Sequence, residues 1–302
     1  MLLLHKCRES LDGPHEVAGV CFNLGSTDQR HGGFWQPVYR VSMGTPRCYL
    51  ICANARCGST LLSRALSDTG LAGHPDEYFV TGPPEAFPPG FTFWEEGPLA
   101  RQNGVDEREE FLRLVYRVGS TPNGVFGAKL MWNYVPWAIE KFQKLPRFRR
   151  SSTKEILAAV FPGLRVVHMI RRDRLRQAIS WLRAAEENVW VVSEDEPARP
   201  IREPVFQYEV IAGMMDLIAK GEQAWMDLYK DLGVRPLEVV YEDLTSSGGY
   251  EPTVRLVLRH LDLDDSIEIP RPRTHRQADD VNEKWVHRFR QANSSGVHGE
   301  PT

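Results

Sequence analysis

Arg56-Cys57-Gly58-Ser59-Thr60 gathers a cation, a thiol, a glycine and two hydroxyls into five consecutive positions. Residue types of that kind hold oxyanions. The run follows apolar Cys48-Tyr49-Leu50-Ile51-Cys52 and precedes Leu61, Leu62, Ala65 and Leu66, which are spaced like the buried stripe of a helix. A strand, a tight turn and a helix N-terminus together make an anion site, because the first helical N–H groups lack partners inside the helix and the dipole favours negative charge there. Gly58 permits close backbone approach, and Ser59 and Thr60 add hydroxyl donors. A phosphate or sulfate cradle is the expected chemistry.

Three familiar anion loops fit poorly. Against G-x-x-x-x-G-K-[ST], Ala53 stands at the first glycine and Ser59 replaces the lysine that would reach β- and γ-phosphates. A thiol phosphatase needs arginine six positions after its cysteine; from Cys57 that position is Ser63, and from Cys52 it is Gly58. A dinucleotide turn would need G-x-G-x-x-G, and this turn has one glycine. Cys57, at a helix N-terminus, is expected to carry a lowered thiol pKa and some redox sensitivity.

A second basic group follows the apolar run Leu164–Ile170: Arg171 and Arg172, then Arg174 and Arg176, then Ser180. Ligands of open α/β sheets collect at such strand ends. An arginine and a serine placed there can grip a separate phosphate, although a basic run is also a common solvated helix face. Two anion sites on neighbouring strand ends fit a ligand with phosphates at both ends of a ribose.

The elements that must position these groups are legible as alternation. Strands are expected at 48–52, Val125–Met131, Leu164–Ile170 and Leu237–Tyr241. Helices are expected over Leu61–Asp68, Phe111–Val118, Trp132–Phe142, Thr153–Phe161, Leu175–Glu187, Pro204–Leu232 and Pro252–Leu261, the sixth interrupted near Gly213 or Gly221. That order implies an α/β fold with a parallel sheet and right-handed crossovers. Residues 1–46 read as an extension with two short edge strands, and the chain beyond Arg290 as a disordered tail. Residues 82–98 join five prolines to Phe87, Phe91, Phe93 and Trp94 as a substrate wall or a packed lid, and 193–205 reads as a mobile charged loop. His168, inside an apolar strand, reads as a satisfied core histidine.

The 302 residues carry a net charge of −3 and 25% charged side chains, so no global field attracts nucleic acid. No apolar run suits a signal peptide or a membrane span. All five cysteines lie between Cys7 and Cys57, without C-x-x-C pairs, which disfavours a disulfide framework and a zinc site and fits a reducing cytoplasm. The expected partner is a small-molecule or glycan acceptor, with no nucleic acid, no integral membrane segment and no metal; a homodimer is left open.

The motifs resemble sulfotransferases that use 3′-phosphoadenosine 5′-phosphosulfate (PAPS), with 3′-phosphoadenosine 5′-phosphate (PAP) as product. Arg56–Thr60 looks like their 5′-phosphosulfate loop, Arg172 with Ser180 like their 3′-phosphate pair, and Tyr241-Glu242-Asp243-Leu244 like a familiar stretch of that superfamily. Arg171 stays a rival for the arginine role. The likeness sharpens to the bacterial trehalose 2-sulfotransferase family through Tyr49–Phe79, Arg117–Asn133, His168–Ala184, and Arg276-Gln277-Ala278-Asp279 through Trp285 to Arg290. Cys57 departs from it, serine being usual there.

The resemblance implies a P-loop-like parallel sheet flanked by helices over residues 47–290, and sulfuryl transfer to a hydroxyl of a carbohydrate, glycolipid or glycosylated metabolite. It places the general base on Glu77, with Asp76 and His74 as rivals, and the neighbouring Tyr78 and Phe79 are expected to bury that carboxylate. Arg56 would face the moving group, with Cys57 through Leu61 completing the cradle. Lys129 would add charge or hold the acceptor, and Arg276 and Gln277 would close over the 3′-phosphate or acceptor. Trp132, Trp137, Trp181 and Trp190 could offer faces to a sugar. The rival expectations are a P-loop kinase and a non-catalytic nucleotide-binding module.

Overall fold

A computed structural model describes residues 47–80, 108–187, 204–272 and 280–295. The 1–46 extension, the proline-aromatic loop, most of the 193–205 loop, Trp190, and Arg276 and Gln277 lie outside the described residues.

Four strands form one parallel sheet: β1 (Arg47–Ala53), β2 (Val125–Met131), β3 (Arg165–Ile170) and β4 (Leu237–Val240), in the order β2-β1-β3-β4. β1 and β2 are buried along almost their whole length, which is why they read as continuous apolar runs rather than alternating ones. Helices α1 (Ser59–Asp68), α2 (Arg108–Gly119), α3 (Val135–Gln143) and α4 (Thr153–Val160) precede β3. Then come α5 (Arg174–Glu187), α6 (Tyr208–Leu232), the single turn α7 (Tyr241–Leu244), α8 (Tyr250–His260) and α9 (Asp280–Ser295). Because β1 lies between β2 and β3, the chain reverses direction across the sheet at β1, and the crevice between the ends of β1 and β3 is the topological switch point.

Several boundaries depart from expectation for local reasons. The expected helix from Trp132 opens as a 3-10 turn, Trp132–Tyr134, and becomes α-helical only at Val135, with Pro136 in the first turn where its missing N–H costs nothing. Tyr241 is not strand: it begins α7. α6 is continuous through both suspect glycines. Gly221 is there for packing, since a Cβ would lie 2.3 Å from Asn54 Oδ1. α9 continues to Ser295, past the point where the composition turns to Ser and Gly.

The core gathers Phe79, Phe126, Phe142 and Phe161 on one side of the sheet, with Phe79 packed on both Phe142 and Phe161. Tyr49 donates its hydroxyl to the Ala72 carbonyl at 2.6 Å. Trp225 and Tyr229 of α6 stack on the same face as the phenylalanines, lining one small cavity with Phe142, whereas Tyr49, one residue out of phase with the Cys48–Phe126 pair, points to the other face. His168 is a core residue but not a satisfied one: neither ring nitrogen has a partner among the described residues, and burial pulls its pKa down to about 4, so the ring is neutral.

Candidate active site

All four strands end in groups that meet at one edge of the sheet. The turn after β1 contains Arg56 at φ 64° and Gly58 at φ 86°, two left-handed residues that reverse the chain into α1. Its carbonyls are turned outward by donors from other elements. Trp225 Nε1 donates to Ala53 O at 3.1 Å, Gln177 Nε2 to Ala55 O at 2.7 Å, and Arg171 Nη1 to Arg56 O at 3.3 Å. Asn54 donates to Ile218 O at 3.1 Å. With its acceptors engaged outward, the turn can present N–H groups inward, as an anion cradle requires.

Gly58 is required by more than its dihedral angle. A Cβ there would meet Tyr241 Cδ2 at 2.5 Å, and the Arg171 guanidinium lies 4.4 Å from the centre of the same ring. Tyr241 therefore lies between the cradle and the end of β3. Cys57 is buried, and burial pushes its thiol up to about 11. This overturns the expectation of a lowered pKa, because desolvation outweighs the helix terminus.

Arg56 Nε donates to Ser180 Oγ at 3.0 Å. Burial first, and the nearby Arg171 charge second, lower the Arg56 pKa to about 10. Two neighbouring guanidiniums in a half-buried crevice are a setting that a bound anion would relieve. Ser180 thus bonds Arg56, while Arg172 is exposed and forks onto Asp243, with Nη1 and Nη2 at 2.8 and 3.0 Å from its two carboxylate oxygens. Both of the expected partners lie at the β3–α5 edge, but they do not touch each other.

Glu77 reaches the same edge from the opposite side. Residues 74–77 run beside β2 through a parallel bridge between Asp76 and Ala128, with Lys129 N donating to Asp76 O at 2.9 Å. Ser63 of α1 donates its hydroxyl to the Pro75 carbonyl. Tyr78 and Phe79 do not bury the carboxylate as expected: Phe79 points into the core, and Tyr78 stacks on Phe126 and donates to His74 O. Polar donors hold it instead. Lys129 Nζ lies 2.9 Å from Glu77 Oε1 and 3.2 Å from Thr60 Oγ1, and the Tyr134 hydroxyl donates to Glu77 Oε2 at 2.7 Å. Lys129 is 5% exposed and Glu77 32%, so the lysine is enclosed while the carboxylate keeps an open side. Of the rivals, Asp76 accepts the Glu77 N–H at 2.7 Å, and His74 is exposed.

Tyr134 was invisible to sequence reasoning because it lies on a turn five residues after Lys129 and matches no motif. Burial, and then the Glu77 charge, keep its phenol well above its ordinary range, so it remains a donor. Tyr134→Phe is expected to lower kcat about tenfold, the scale of one hydrogen bond to a charged group, with the donor KM unchanged. An unchanged kcat in steady-state assays would remove Tyr134 from the site. Among the tryptophans, Trp132 packs edge-on against Trp225, and Trp137 is 39% exposed.

Known proteins resemble this chain in sequence. The trehalose 2-sulfotransferase of Mycolicibacterium smegmatis is 31% identical over 260 residues, spanning 81% of this chain and 95% of that protein. The trehalose 2-sulfotransferase of Mycobacterium tuberculosis is 30% identical over 261 residues, spanning 81% and 94%. A sulfotransferase crystal structure from Alicyclobacillus acidocaldarius aligns at 15% identity with a TM-score of 0.44, over 86% of this chain and 98% of that one. The Stf0 sulphotransferase family model matches residues 48–292, a span that begins in β1 and takes in the cradle, Glu77, Lys129 and the arginines after β3. This chain belongs to that family of sulfate-transferring enzymes.

Proposed function

We propose that the protein moves a sulfuryl group from PAPS to a hydroxyl of a carbohydrate, glycolipid or glycosylated metabolite, with Glu77 as general base. The observation that carries this reading is Lys129, whose ammonium bridges Glu77 Oε1 at 2.9 Å and Thr60 Oγ1 at 3.2 Å. It ties a half-exposed carboxylate to the mouth of an anion cradle. The residues fit such a donor. Gly58 lets the turn pack directly against Tyr241, Arg56 and Arg171 supply charge beside it, and Arg172 stands at the next strand end.

The donor, when bound, supplies an activated sulfuryl group. Arg56 and the α1 terminus stabilise charge that develops on departure of the nucleotide phosphate, and Glu77 accepts the proton of the acceptor hydroxyl at its open side. Lys129 and Tyr134 keep the carboxylate aimed, which converts a weak alcohol nucleophile into a positioned one. Arg172 receives the 3′-phosphate, with Ser180 and Arg171 beside it. Trehalose is the first acceptor to test, since both mycobacterial relatives are named for it. A cytoplasmic setting is supported by the free thiols of Cys48, Cys52 and Cys57. Among the described residues no helix is long and apolar enough to cross a membrane.

The test is transfer of labelled sulfate from PAPS to trehalose and a panel of sugars, glycolipids and glycosylated metabolites, with products identified by mass spectrometry. ATP-dependent transfer would favour the kinase reading, and nucleotide binding without turnover of any acceptor the non-catalytic one. Arg172→Ala is expected to weaken PAP binding about 10- to 100-fold and leave adenosine 5′-phosphate unaffected, as measured by calorimetry. Equal losses for the two nucleotides would remove Arg172 from the 3′ side.

A further inference from the structure

Arg172 is already engaged. Its Nη1 and Nη2 lie 2.8 and 3.0 Å from Asp243 Oδ1 and Oδ2. Two parallel N–H···O bonds from a planar fork to two oxygens of one anion are also what a guanidinium makes on a phosphate. Asp243 therefore holds the donor face of Arg172 that a phosphate would need. Glu242 and Glu238 add negative charge at longer range, so the β4–α7 edge already serves Arg172 as an anion.

The pair does little for the fold. Arg172 and Asp243 are 60% and 58% exposed, where an ion pair is weak and opens easily. The backbone is tied independently: Arg172 N donates to Glu242 Oε2 at 3.1 Å, Asp173 N donates to Glu242 Oε1 at 3.2 Å, and Ile170 pairs with Val240 across the sheet. Glu242 fixes where the arginine starts, and Asp243 takes only its tip. The tip can change partner without moving the strand end.

We infer that the Asp243 carboxylate is an internal stand-in for the 3′-phosphate, displaced from Arg172 when a 3′-phosphorylated nucleotide binds and competing with it for the same guanidinium fork. This rests on Arg172 receiving the 3′-phosphate, as proposed above. After displacement the carboxylate remains within reach, a like charge beside a phosphate, and both effects weaken binding of the 3′-phosphorylated product and speed its departure. Product release limits turnover in many enzymes, so a competitor built into the site serves the catalytic cycle. The cradle at the end of β1 is a separate set of groups, so the competition acts on the 3′ side alone.

Calorimetry on the full chain with PAP and adenosine 5′-phosphate tests this. Asp243→Asn is expected to bind PAP about two- to fivefold more tightly, the factor for freeing one exposed ion pair, with adenosine 5′-phosphate unchanged. Asp243→Ser repeats the measurement without an amide that could replace the carboxylate, and thermal melts verify that each variant is folded. In an Arg172→Ala background, Asp243→Asn should have no effect on PAP. If wild type prefers PAP and both Asp243 variants bind it equally well or more weakly, Asp243 positions Arg172 rather than competing for it; the inference is then overturned and the PAPS reading stands. If wild type binds PAP no better than adenosine 5′-phosphate, the 3′ role of Arg172 fails and takes the inference with it.

Discussion

Glu77→Gln is expected to lower kcat by about 10²- to 10⁴-fold while PAP affinity stays within about a factor of two. Glutamine keeps the shape and one acceptor oxygen, so Tyr134 retains a partner, but it removes the group that takes the acceptor proton. It also strips Lys129, 5% exposed, of its 2.9 Å ion-pair partner. An enclosed ammonium left with only the Thr60 hydroxyl from this cluster should cost stability as well, on the order of 1–3 kcal/mol. Single-turnover assays with preformed enzyme–donor complex separate the two effects, since lost stability alters the active fraction and lost basicity the rate. A variant that is folded, binds PAP and retains more than a tenth of wild-type kcat would remove Glu77 as the base.

Gly58→Ala should be nearly as damaging by a different route. Holding alanine at φ 86° costs about 1–3 kcal/mol, and its Cβ would press on the Tyr241 ring at 2.5 Å. That ring also lies 4.4 Å from the Arg171 guanidinium, so relief by moving Tyr241 would disturb the end of β3 as well. The expected result is donor KM raised at least about tenfold and kcat/KM lowered about 10²-fold, with helix content by circular dichroism unchanged. Gly70→Ala is the control. It shares a positive φ of 67° but has nothing within 4 Å of its would-be Cβ, so it should cost stability alone. Equal loss of activity in the two variants would mean that backbone strain, not the Tyr241 contact, is the cause.

Much of the architecture was readable along the chain because it depends on local patterning. Continuous apolar runs mark strands buried on both faces, and strand–helix alternation implies a parallel sheet. The strand–turn–helix at Arg56–Thr60 was readable for the same reason: its glycine, hydroxyls and arginine are consecutive, and a helix N-terminus is a local object.

What joins these parts is not local. Tyr134 lies on a turn with no signature of its own, and it reaches Glu77, 57 positions away along the chain, only because the 74–77 segment pairs beside β2. Tyr241 drew notice as part of a familiar stretch, but its contacts with Gly58 and Arg171 require β4 to lie next to β3. Burial reversed the expectation for Cys57, since desolvation depends on the whole core rather than on a thiol's place in a turn. The sequence by itself determined a strand–turn–helix in a parallel α/β sheet, with a glycine, two hydroxyls and an arginine in its turn, and the stretches that ally the chain to sulfotransferases. Only the tertiary structure decided that Lys129 and Tyr134 hold Glu77, that Ser180 pairs with Arg56 and that Asp243 occupies Arg172, because a side chain's partner is set by strand order and register.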